Sequence, residues 1–380
     1  MATLQLCTTQ AENQNAYIFR VTNTKVFSLE EALFHAYHNW KQTADELYST
    51  EFIDWVKSDL GLPDIAAKLK EYADFAFGDR LSHFCRIIDY FDDAELSSLT
   101  KELEAWEKRV EWEKLKDRGD YLTAHNMPDK AVNIYKRALT DGRRVSLLNN
   151  TAVALMRLER YAESAALLRE ALDEEPNSNE LKLNYAEACI YAGKTREAMK
   201  ILEELPPSAS VFRVFGELYS RAGDKANALR SLKSAADLDG SAEYMYTLSD
   251  YYVKTSEYED AIRVIDRVKK PDAETSIKRA EIYKAQRDFT SASNILEKAI
   301  AMWPNNADLW LELSECSRRN SNPELANRAV TKALTLQPEN PRIKLEAVKV
   351  KRALNRPMEY REALRQLINY LKGEYRENEG

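Results

Sequence analysis

Apolar residues recur every three or four positions through most of the chain, which is the spacing of one face of an α-helix. The clearest stretch begins at Trp310 and Leu313, passes a polar turn, continues through Ala326 and Ala333, and stops at Pro338. This pattern predicts two helices joined by a turn, with a proline that ends the second helix. Such a helix pair cannot bury its apolar face alone, so it needs a copy of itself on each side.

Copies of this helix pair follow one another from about residue 112. A small residue marks the second helix of each copy, at steps of 33, 34, 30, 33, 31 and 34 residues: Ala131, Ser164, Ala198, Ala228, Ala261, Ala292 and Ala326. Seven residues after these anchors come Ala138, Ala171, Leu205, Ala235, Val268, Ala299 and Ala333, and twelve residues before them come Gly119, Ala152, Ala186, Gly216, Ser249, Ala280 and Ser314. Three columns of mostly small side chains are what close packing of neighbouring helices requires.

The pattern resembles the tetratricopeptide repeat family, whose period is about 34 residues. Seven copies, over about residues 112–340, carry the resemblance, which implies an all-α solenoid in which the helix pairs form a right-handed superhelix. Three residues depart from the small-residue columns, namely Ser164, Leu205 and Val268. Residues 341–380 are expected to form a basic capping helix pair, at 343–354 and 357–371, with a frayed tail.

An acidic, aromatic segment precedes the repeats. Residues 1–15 are expected to be disordered, and residues 16–111 to form a mostly helical module that resembles no family we recognise. Its aromatic residues are expected mainly to fill a small core: Tyr17, Phe19, Tyr37, Trp40, Phe52 and Trp55.

This module is predicted to begin with a short β-hairpin, from the β-favouring run at 16–21 and its return at 26–27. Ser28, followed by Glu31 three residues later, is typical of a helix N-terminus with a capping box. Further helices are predicted at about 51–60, 63–77, 79–91 and 94–118.

The resemblance implies that the first helix of each pair lines a concave groove in which a partner binds. The ninth position of each copy is acidic in six of seven cases: Asp120, Val153, Glu187, Glu217, Asp250, Glu281 and Glu315. The thirteenth position includes Arg157, Arg221, Lys254 and Arg319, and the fifth includes Leu183, Tyr246, Ile277 and Leu311. An acidic stripe, a basic stripe and apolar contacts would suit an extended peptide that carries lysine or arginine.

A simpler interpretation leaves no role for a ligand. The pairs Glu217–Arg221, Asp250–Lys254 and Glu315–Arg319 have the i,i+4 spacing with the acid first. Each such pair stabilises its own helix by about 0.2–0.5 kcal/mol. The acidic column alone therefore does not decide between a binding groove and a solvated helix face.

Some members of the family bind the acidic C-terminus of large chaperones through a carboxylate clamp of lysine, asparagine and arginine side chains. Lys116 and Asn150 match that pattern, and Asn150 joins the candidate groove residues. Asp120, Glu180 and Asn184 depart from it, and the two carboxylates would repel a third. No clamp of that kind is expected.

Charge narrows the class of partner. The net charge of −7 is uneven, because residues 1–106 hold nine basic against eighteen acidic residues and the remainder holds 46 against 44. A repeat array with balanced charge lacks the one-sided basic surface of nucleic-acid-binding proteins. No stretch is apolar for long enough to span a membrane. Within the C-terminal part, residues 342–372 hold nine basic and three acidic residues.

The spacing of the four cysteines is typical neither of a metal site nor of a disulfide framework: Cys7, Cys85, Cys189 and Cys316. A cytoplasmic location is therefore expected. Glu31, His35 and His38 lie within two turns of one predicted helix, but a metal site would need a further ligand. A pair of polar or interface histidines explains them as well. No phosphate-binding loop or nucleophile motif occurs, so no catalytic residue, cofactor or metal is expected.

These features favour a non-enzymatic protein–protein interaction scaffold or adaptor. A co-chaperone or assembly factor is an alternative that differs only in its partner. An enzyme or metal-binding protein that acts through the N-terminal module is a further alternative. The basic segment at 342–372 could contact the acidic module of a second copy, could contact another anionic partner, or could be a solvated cap.

Overall fold

A computed structural model of the chain describes residues 16–378, apart from 23, 44–45, 74, 76, 88–90 and 339. The disordered start predicted for residues 1–15, and Cys7 within it, lie outside the described residues. The described chain is helical apart from its connections and one two-stranded sheet. The predicted all-α class with a short N-terminal hairpin is therefore confirmed. The chain divides into two compact units, Met1–Ile201 and Leu202–Gly380.

The first compact unit opens with the hairpin, in which β1 (Tyr17–Phe19) pairs antiparallel with β2 (Thr24–Val26). Short helices follow it: α1 (Leu29–His38), α2 (Trp40–Thr43), a 3₁₀ turn at Glu46–Tyr48, α3 (Thr50–Ser58), α4 (Pro63–Tyr72), α5 (Phe77–Cys85) and α6 (Asp93–Glu107). The Ser28 hydroxyl accepts the backbone N–H of Glu31, which confirms the predicted N-cap of α1.

The hairpin lies on an aromatic core. The Tyr17 ring meets the Phe52 ring edge-on at 4.9 Å, and Phe19 is fully buried against the same ring. The Glu46 carboxylate accepts the backbone N–H groups of Arg20 and Val21, at 2.8 and 3.2 Å, and so holds the end of β1. Of the aromatic residues predicted for the core, Tyr17, Phe19, Trp40, Phe52 and Trp55 are buried and Tyr37 is partly buried.

The single helix predicted at 94–118 is wrong, since α6 ends at Glu107 and a new helix begins at Glu111. The apolar stripe of α6 consists of Leu96, Leu99, Leu103 and Trp106. If the helix continued, the same stripe would carry Glu113 and Asp117 into an apolar core, where carboxylates are costly. The chain turns instead, and both carboxylates accept from Arg109, at 3.1 and 2.6 Å. The helices predicted at 63–77 and 79–91 also end early, at residues 72 and 85.

Three helix pairs follow in sequence: α7 (Glu111–Ala124) with α8 (Pro128–Leu139), α9 (Val145–Arg157) with α10 (Tyr161–Glu174), and α11 (Asn179–Tyr191) with α12 (Thr195–Glu204). The first pair is tied to the elements before it by two side chains that donate to backbone carbonyls. Arg118 Nε donates to the carbonyl of Lys41, and Lys130 Nζ donates to that of Arg20, each at 2.8 Å.

The second compact unit contains five pairs: α13 (Ala209–Ala222) with α14 (Lys225–Leu238), α15 (Ala242–Lys254) with α16 (Tyr258–Ile265), α17 (Ala273–Ala285) with α18 (Phe289–Met302), α19 (Ala307–Arg319) with α20 (Pro323–Leu336), and α21 (Pro341–Ala353) with α22 (Pro357–Asn378). The last pair occupies the segment in which a capping pair is predicted. It starts two residues before the predicted position 343 and continues seven residues beyond the predicted end at 371.

The small-residue columns are buried where helices meet. Every anchor residue from Ala131 to Ala326 is fully buried, Ser164 included. A Cβ atom added to Gly216 would lie 2.5 Å from Leu232 Cδ2, which no real side chain tolerates, and one added to Gly119 would overlap the ring of Tyr135. The predicted packing role of these columns is therefore confirmed.

Each helix pair turns through one residue with positive φ, a feature that the sequence analysis missed. Six of these residues are not glycine and have φ between 54° and 66°: Asn126, Glu159, Ser256, Arg287, Ser321 and Asn355. In the other two pairs the position is held by Gly193 and Gly223. Because Asn355 joins α21 to α22, this last pair uses the same turn as the repeats. Glutamate and arginine occupy this left-handed conformation at a cost of about 1–2 kcal/mol each.

Candidate functional site

The predicted groove residues lie on the first helix of each pair, and we call the side of those helices that carries them the first-helix face. In the first compact unit these residues bind one another. Asp120 on α7 accepts hydrogen bonds from Lys116 Nζ, Tyr135 Oη and Asn150 Nδ2, each at 2.7 Å. The structure thus brings Asp120 and Asn150 together from neighbouring first helices. With three donors in place, the Asp120 carboxylate has little capacity left for a ligand.

The other polar groups of this part of the face are also paired. Asn149 donates to Glu180 Oε1 at 3.2 Å and accepts from Asn184 at 2.9 Å. Arg157 donates to the backbone carbonyl of Thr123. Glu187, on α11, is half-buried.

In the second compact unit, two of the three predicted i,i+4 pairs form. The Glu217 carboxylate accepts from Arg221 Nε at 2.6 Å, and Glu315 accepts from Arg319 Nη2 at 2.8 Å. Both arginine side chains are nearly half exposed, at 46% and 48%. At these two positions the i,i+4 ion pairs that the simpler interpretation predicts are present.

The third predicted pair, Asp250–Lys254, is wrong. Lys254 Nζ donates to Ser220 Oγ on the preceding first helix, at 2.9 Å. Asp250 instead contacts Lys278 Nζ on the following first helix, at 3.1 Å, and Glu281 contacts the same ammonium at 3.2 Å. Two carboxylates of α15 and α17 therefore share one lysine.

This shared site stays accessible to a ligand. The side chains of Asp250 and Glu281 are 56% and 42% exposed, whereas that of Lys278 is 23% exposed. Desolvation raises the pKa of Asp250, although Lys278 acts in the opposite direction. With two carboxylates and one ammonium, the site holds one more negative than positive charge and presents it to solvent. Tyr246, expected to offer an apolar contact here, is buried, and its hydroxyl lies 2.6 Å from Thr275 Oγ1.

A second set of ion pairs is more deeply buried and joins the first helices of the last three pairs, α17, α19 and α21. Lys284 Nζ on α17 donates to Glu312 Oε2 at 2.5 Å and to Glu315 Oε2 at 2.9 Å, both on α19. Arg318 on α19 forms a two-pronged pair with Glu346 on α21, at 2.6 and 3.1 Å. Burial by itself would lower the pKa of Lys284, but the two carboxylates outweigh it and raise that pKa.

These contacts share one spacing that sequence reasoning overlooked. Asp250 and Lys278, Lys284 and Glu312, and Arg318 and Glu346 are each 28 residues apart. Opposite charges 28 residues apart in the sequence are the signal from which these pairs could have been predicted. The signal is readable only once the first helices of successive repeats are known to lie side by side.

The N-terminal histidines are engaged in the structure of their own module. His35 Nε2 lies 2.7 Å from Thr22 Oγ1, and Asn39 Nδ2 lies 3.3 Å from Nδ1. Burial, together with the nearby His38, lowers the pKa of His35 to about 4. Glu31 accepts the backbone N–H of Phe27 at 2.6 Å. The part of the chain that the structure describes contains no cluster of three or more His, Cys, Asp or Glu side chains that could hold a metal ion.

None of the described helices is both long enough and apolar enough to cross a membrane. Over 235 residues the chain is 22% identical to the human protein O-mannosyl-transferase TMTC1, a match that covers 60% of this chain and 23% of that protein. The chain thus spans about a quarter of the length of this relative.

Solved structures of repeat proteins resemble parts of the chain. A tetratricopeptide repeat protein from Parabacteroides merdae is 16% identical, with a TM-score of 0.42, over 64% of this chain and 98% of that one. The C-terminal part of a repeat-containing protein from Cytophaga hutchinsonii is 16% identical, with a TM-score of 0.41, over 58% and 93%.

Family models of the tetratricopeptide repeat match most of the region that contains the helix pairs. One matches residues 155–211, and another matches residues 116–179, 214–274 and 277–343. These segments cover more than half of the chain and include the predicted small-residue columns. The chain therefore belongs to the tetratricopeptide repeat family.

Proposed function

We propose that the chain is a non-enzymatic adaptor whose first-helix face, at α15 and α17, binds an extended protein segment that carries arginine or lysine. Tetratricopeptide repeats support an interaction scaffold in general, and the proposal adds the place and the chemistry of the partner. The observation that carries it is the shared site of Asp250 and Glu281, where two exposed carboxylates depend on one lysine.

The geometry of this site favours a guanidinium or a pair of cations. Both carboxylates lie within about 3.2 Å of Lys278 Nζ, so their contacting oxygens are at most about 6 Å apart. In an extended peptide, alternate side chains on one face are about 7 Å apart. Two arginines separated by one residue would therefore place one cation near each carboxylate. A planar guanidinium also suits a carboxylate better than an ammonium does, since it donates two parallel hydrogen bonds.

The other carboxylates of the face are weaker candidates. Glu217 and Glu315 each have an arginine of their own, and Asp120 accepts three hydrogen bonds. A cation of the partner would have to compete with Arg221 or Arg319, and would gain little because exposed ion pairs contribute only about 0–1 kcal/mol. The expected acidic stripe thus reduces to one accessible acidic site in the second compact unit.

The test uses a defined probe and the full chain. A fluorescein-labelled, unstructured nonapeptide with an Arg-Ser-Arg centre and flanking leucines would be titrated and followed by fluorescence anisotropy. We expect micromolar binding at about 50 mM salt that weakens at 300 mM, because partly exposed charges are screened. The same peptide with glutamine in place of both arginines should bind at least about ten-fold more weakly, which corresponds to about 1.4 kcal/mol.

Two variants locate the binding. The double substitution Asp250→Asn with Glu281→Gln should weaken binding at least about ten-fold, while Glu217→Gln, the matched control, should change it less than two-fold. Unchanged melting curves in circular dichroism would establish that both variants are folded. Equal affinity for the arginine and glutamine peptides, or equal loss in the control variant, would refute the proposed site.

A transferase role is the second candidate that the comparisons raise. The human relative is named as an O-mannosyl-transferase, but the chain spans only 23% of its length. We therefore extend only a binding role to this chain and not the activity in that name. We also propose a cytoplasmic location, supported by the three described cysteines, which are free thiols buried in the fold: Cys85, Cys189 and Cys316.

A further inference from the structure

An exposed aromatic stripe runs along α1 at the start of the first compact unit. Phe27 and Phe34 are 43% and 51% exposed, although large aromatic residues usually lie in the core. Glu31, Phe34 and His38 follow one another at steps of three and four residues, so they lie along one side of α1. Phe27 precedes the N-cap of that helix, and its backbone N–H donates to Glu31 Oε2 at 2.6 Å, which places it beside the first of these residues. The Phe34 and His38 rings are in contact, with centroids 4.4 Å apart. We call these four residues the head stripe.

The head stripe contains a carboxylate of its own, Glu31, and belongs to a segment, residues 1–106, that holds eighteen acidic against nine basic residues. Tyr37, beside His38, stacks on Phe91 at 4.3 Å and donates its hydroxyl to the carbonyl of Glu95. Partial burial raises the pKa of Tyr37, and the carboxylates of Glu95 and Glu102 raise it further. A partner for the head stripe should therefore be apolar and basic.

A stripe of that composition lies on α22 at the other end of the sequence. Met358, Arg361, Arg365 and Ile368 follow at steps of three, four and three residues along one side of the helix. Met358 is 83% exposed and Ile368 is 40% exposed. Both arginines are exposed between them, Arg365 in an exposed pair with Glu362 on the same helix, at 2.6 Å. We call these four residues the tail stripe. The segment around them, 342–372, holds nine basic and three acidic residues.

We propose that the head stripe of one copy of this chain binds the tail stripe of a second copy. The two stripes are comparable in length. The tail stripe spans ten residues of helix, about 15 Å, and the head stripe spans the seven helical residues from Glu31 to His38, about 10 Å, together with Phe27 before them. In this contact the apolar ends meet Phe27 and Phe34, and an arginine of the tail stripe lies over an exposed phenyl ring, an arrangement that contributes about 0.5–1 kcal/mol at exposed sites. Because the two surfaces differ, the contact is head-to-tail and leaves a free stripe at each end of the assembly.

The proposal goes beyond the binding of a partner on the first-helix face and shares no residue with it. Self-association can therefore fail while the Arg-Ser-Arg peptide still binds, and the reverse holds as well. A small contact of this kind is expected to be weak, so the protein should be studied at about 5–200 µM.

The experiment measures the mass of the full chain by sedimentation velocity. The average mass of the wild-type protein should increase with concentration to values above that of a dimer. Addition of about 500 mM salt should reduce this increase. Phe34→Arg should block the head stripe by placing a cation against the arginines, and Arg361→Glu should block the tail stripe by placing a carboxylate against the acidic head. Each variant alone should remain monomeric over the same range.

The decisive step is to mix the two variants in equal amounts. The chain with the blocked tail keeps a normal head, and the chain with the blocked head keeps a normal tail. The mixture should therefore form dimers and nothing larger. A different interface, with the same patch on both copies, would not produce this pattern, because one variant or the other would behave like the wild type.

Matched controls exclude a general effect of surface charge. Val110→Arg alters a residue that is as exposed as Phe34, at 51%, and Arg328→Glu alters an exposed arginine on α20. Both should associate like the wild type. A wild-type chain that stays monomeric at 200 µM, a mixture of blocked variants that stays monomeric, or control variants that also fail to associate would overturn the proposal. Circular dichroism spectra should confirm that all the variants remain helical.

Discussion

Replacing Lys284 by methionine is expected to destabilise the second compact unit by about 3 kcal/mol. Methionine keeps most of the aliphatic volume but removes the ammonium that contacts Glu312 and Glu315. The Glu312 side chain is only 7% exposed, so its carboxylate would remain buried with one cation fewer. Breaking a buried pair from one side costs about 3–5 kcal/mol, mainly because of the charge that is left behind.

The lower end of that range applies here because neither carboxylate is left wholly without a cation. Arg342 Nη2 lies 3.5 Å from Glu312 Oε1, but its side chain is 71% exposed and compensates weakly. Arg319 remains with Glu315. The folded-state pKa of Lys284 is raised above the ordinary value of 10.5, so the pair contributes fully below pH 10.5 and its contribution is lost only as the pH rises beyond that. A measurement at pH 7 therefore captures the whole effect.

The assay is urea unfolding at pH 7, followed by circular dichroism at 222 nm. The matched control is Arg267→Met, which removes the surface pair with Asp237, whose side chains are at least half exposed. That change should cost less than about 1 kcal/mol. Adding Glu312→Gln to Lys284→Met should recover at least about 1 kcal/mol, because it removes the buried charge. A loss below about 1 kcal/mol for Lys284→Met, or no recovery in the double variant, would refute the reasoning.

Three further predictions concern packing, backbone strain and pH. Gly216→Ala should destabilise the chain by about 1–3 kcal/mol in urea unfolding, because its methyl group meets Leu232, whereas Gly240→Ala, with open space around it, should not; equal effects would contradict the packing argument. Arg287→Gly should raise the unfolding free energy by about 0.5 kcal/mol, since relief of the positive φ exceeds the added freedom of the unfolded chain, and a loss would show that φ is not strained. The lowered pKa of His35, about 4, means that the folded state binds fewer protons than the unfolded state between pH 6.5 and 4. The free energy of unfolding should therefore decrease as the pH falls from 6.5 to 4, by at most about 3 kcal/mol. In unfolding experiments between about pH 7 and 4, this decrease should be smaller for His35→Gln than for the wild type. Parallel curves for the two proteins would contradict the prediction.

Local pattern was enough to predict the helix pairs, because their apolar and small positions recur at spacings set by one helix and its turn. Gly216 illustrates this. Its position, twelve residues before the anchor Ala228, is predicted to hold a small side chain, and the structure places it against Leu232. The positive-φ turn was missed because Glu159 and Arg287 carry no glycine signal. Aligning that position across all copies would have revealed Gly193 and Gly223 in the same column.

The local pattern did not predict the helix break within residues 94–118, whose two ends pack into different hydrophobic cores. Residues 94–118 contain no glycine or proline before position 119, so composition predicts an unbroken helix. The break after Glu107 follows from where the apolar stripe must point: Trp106 belongs to the N-terminal core and Leu115 to the first helix pair. Only the packing of both cores fixes that change of direction.

The sequence by itself determined the repeat, its helix pairs and the family, because these depend on spacings within about 34 residues that a single helix pair imposes. The tertiary structure decided which charges meet. Asp250 had a lysine four residues away, at Lys254, yet it binds Lys278 from the next repeat, 28 residues along the chain. The physical reason is that a partly exposed i,i+4 pair is worth only a few tenths of a kcal/mol. Such a preference is too weak to hold a lysine against the contacts that neighbouring helices offer once they pack.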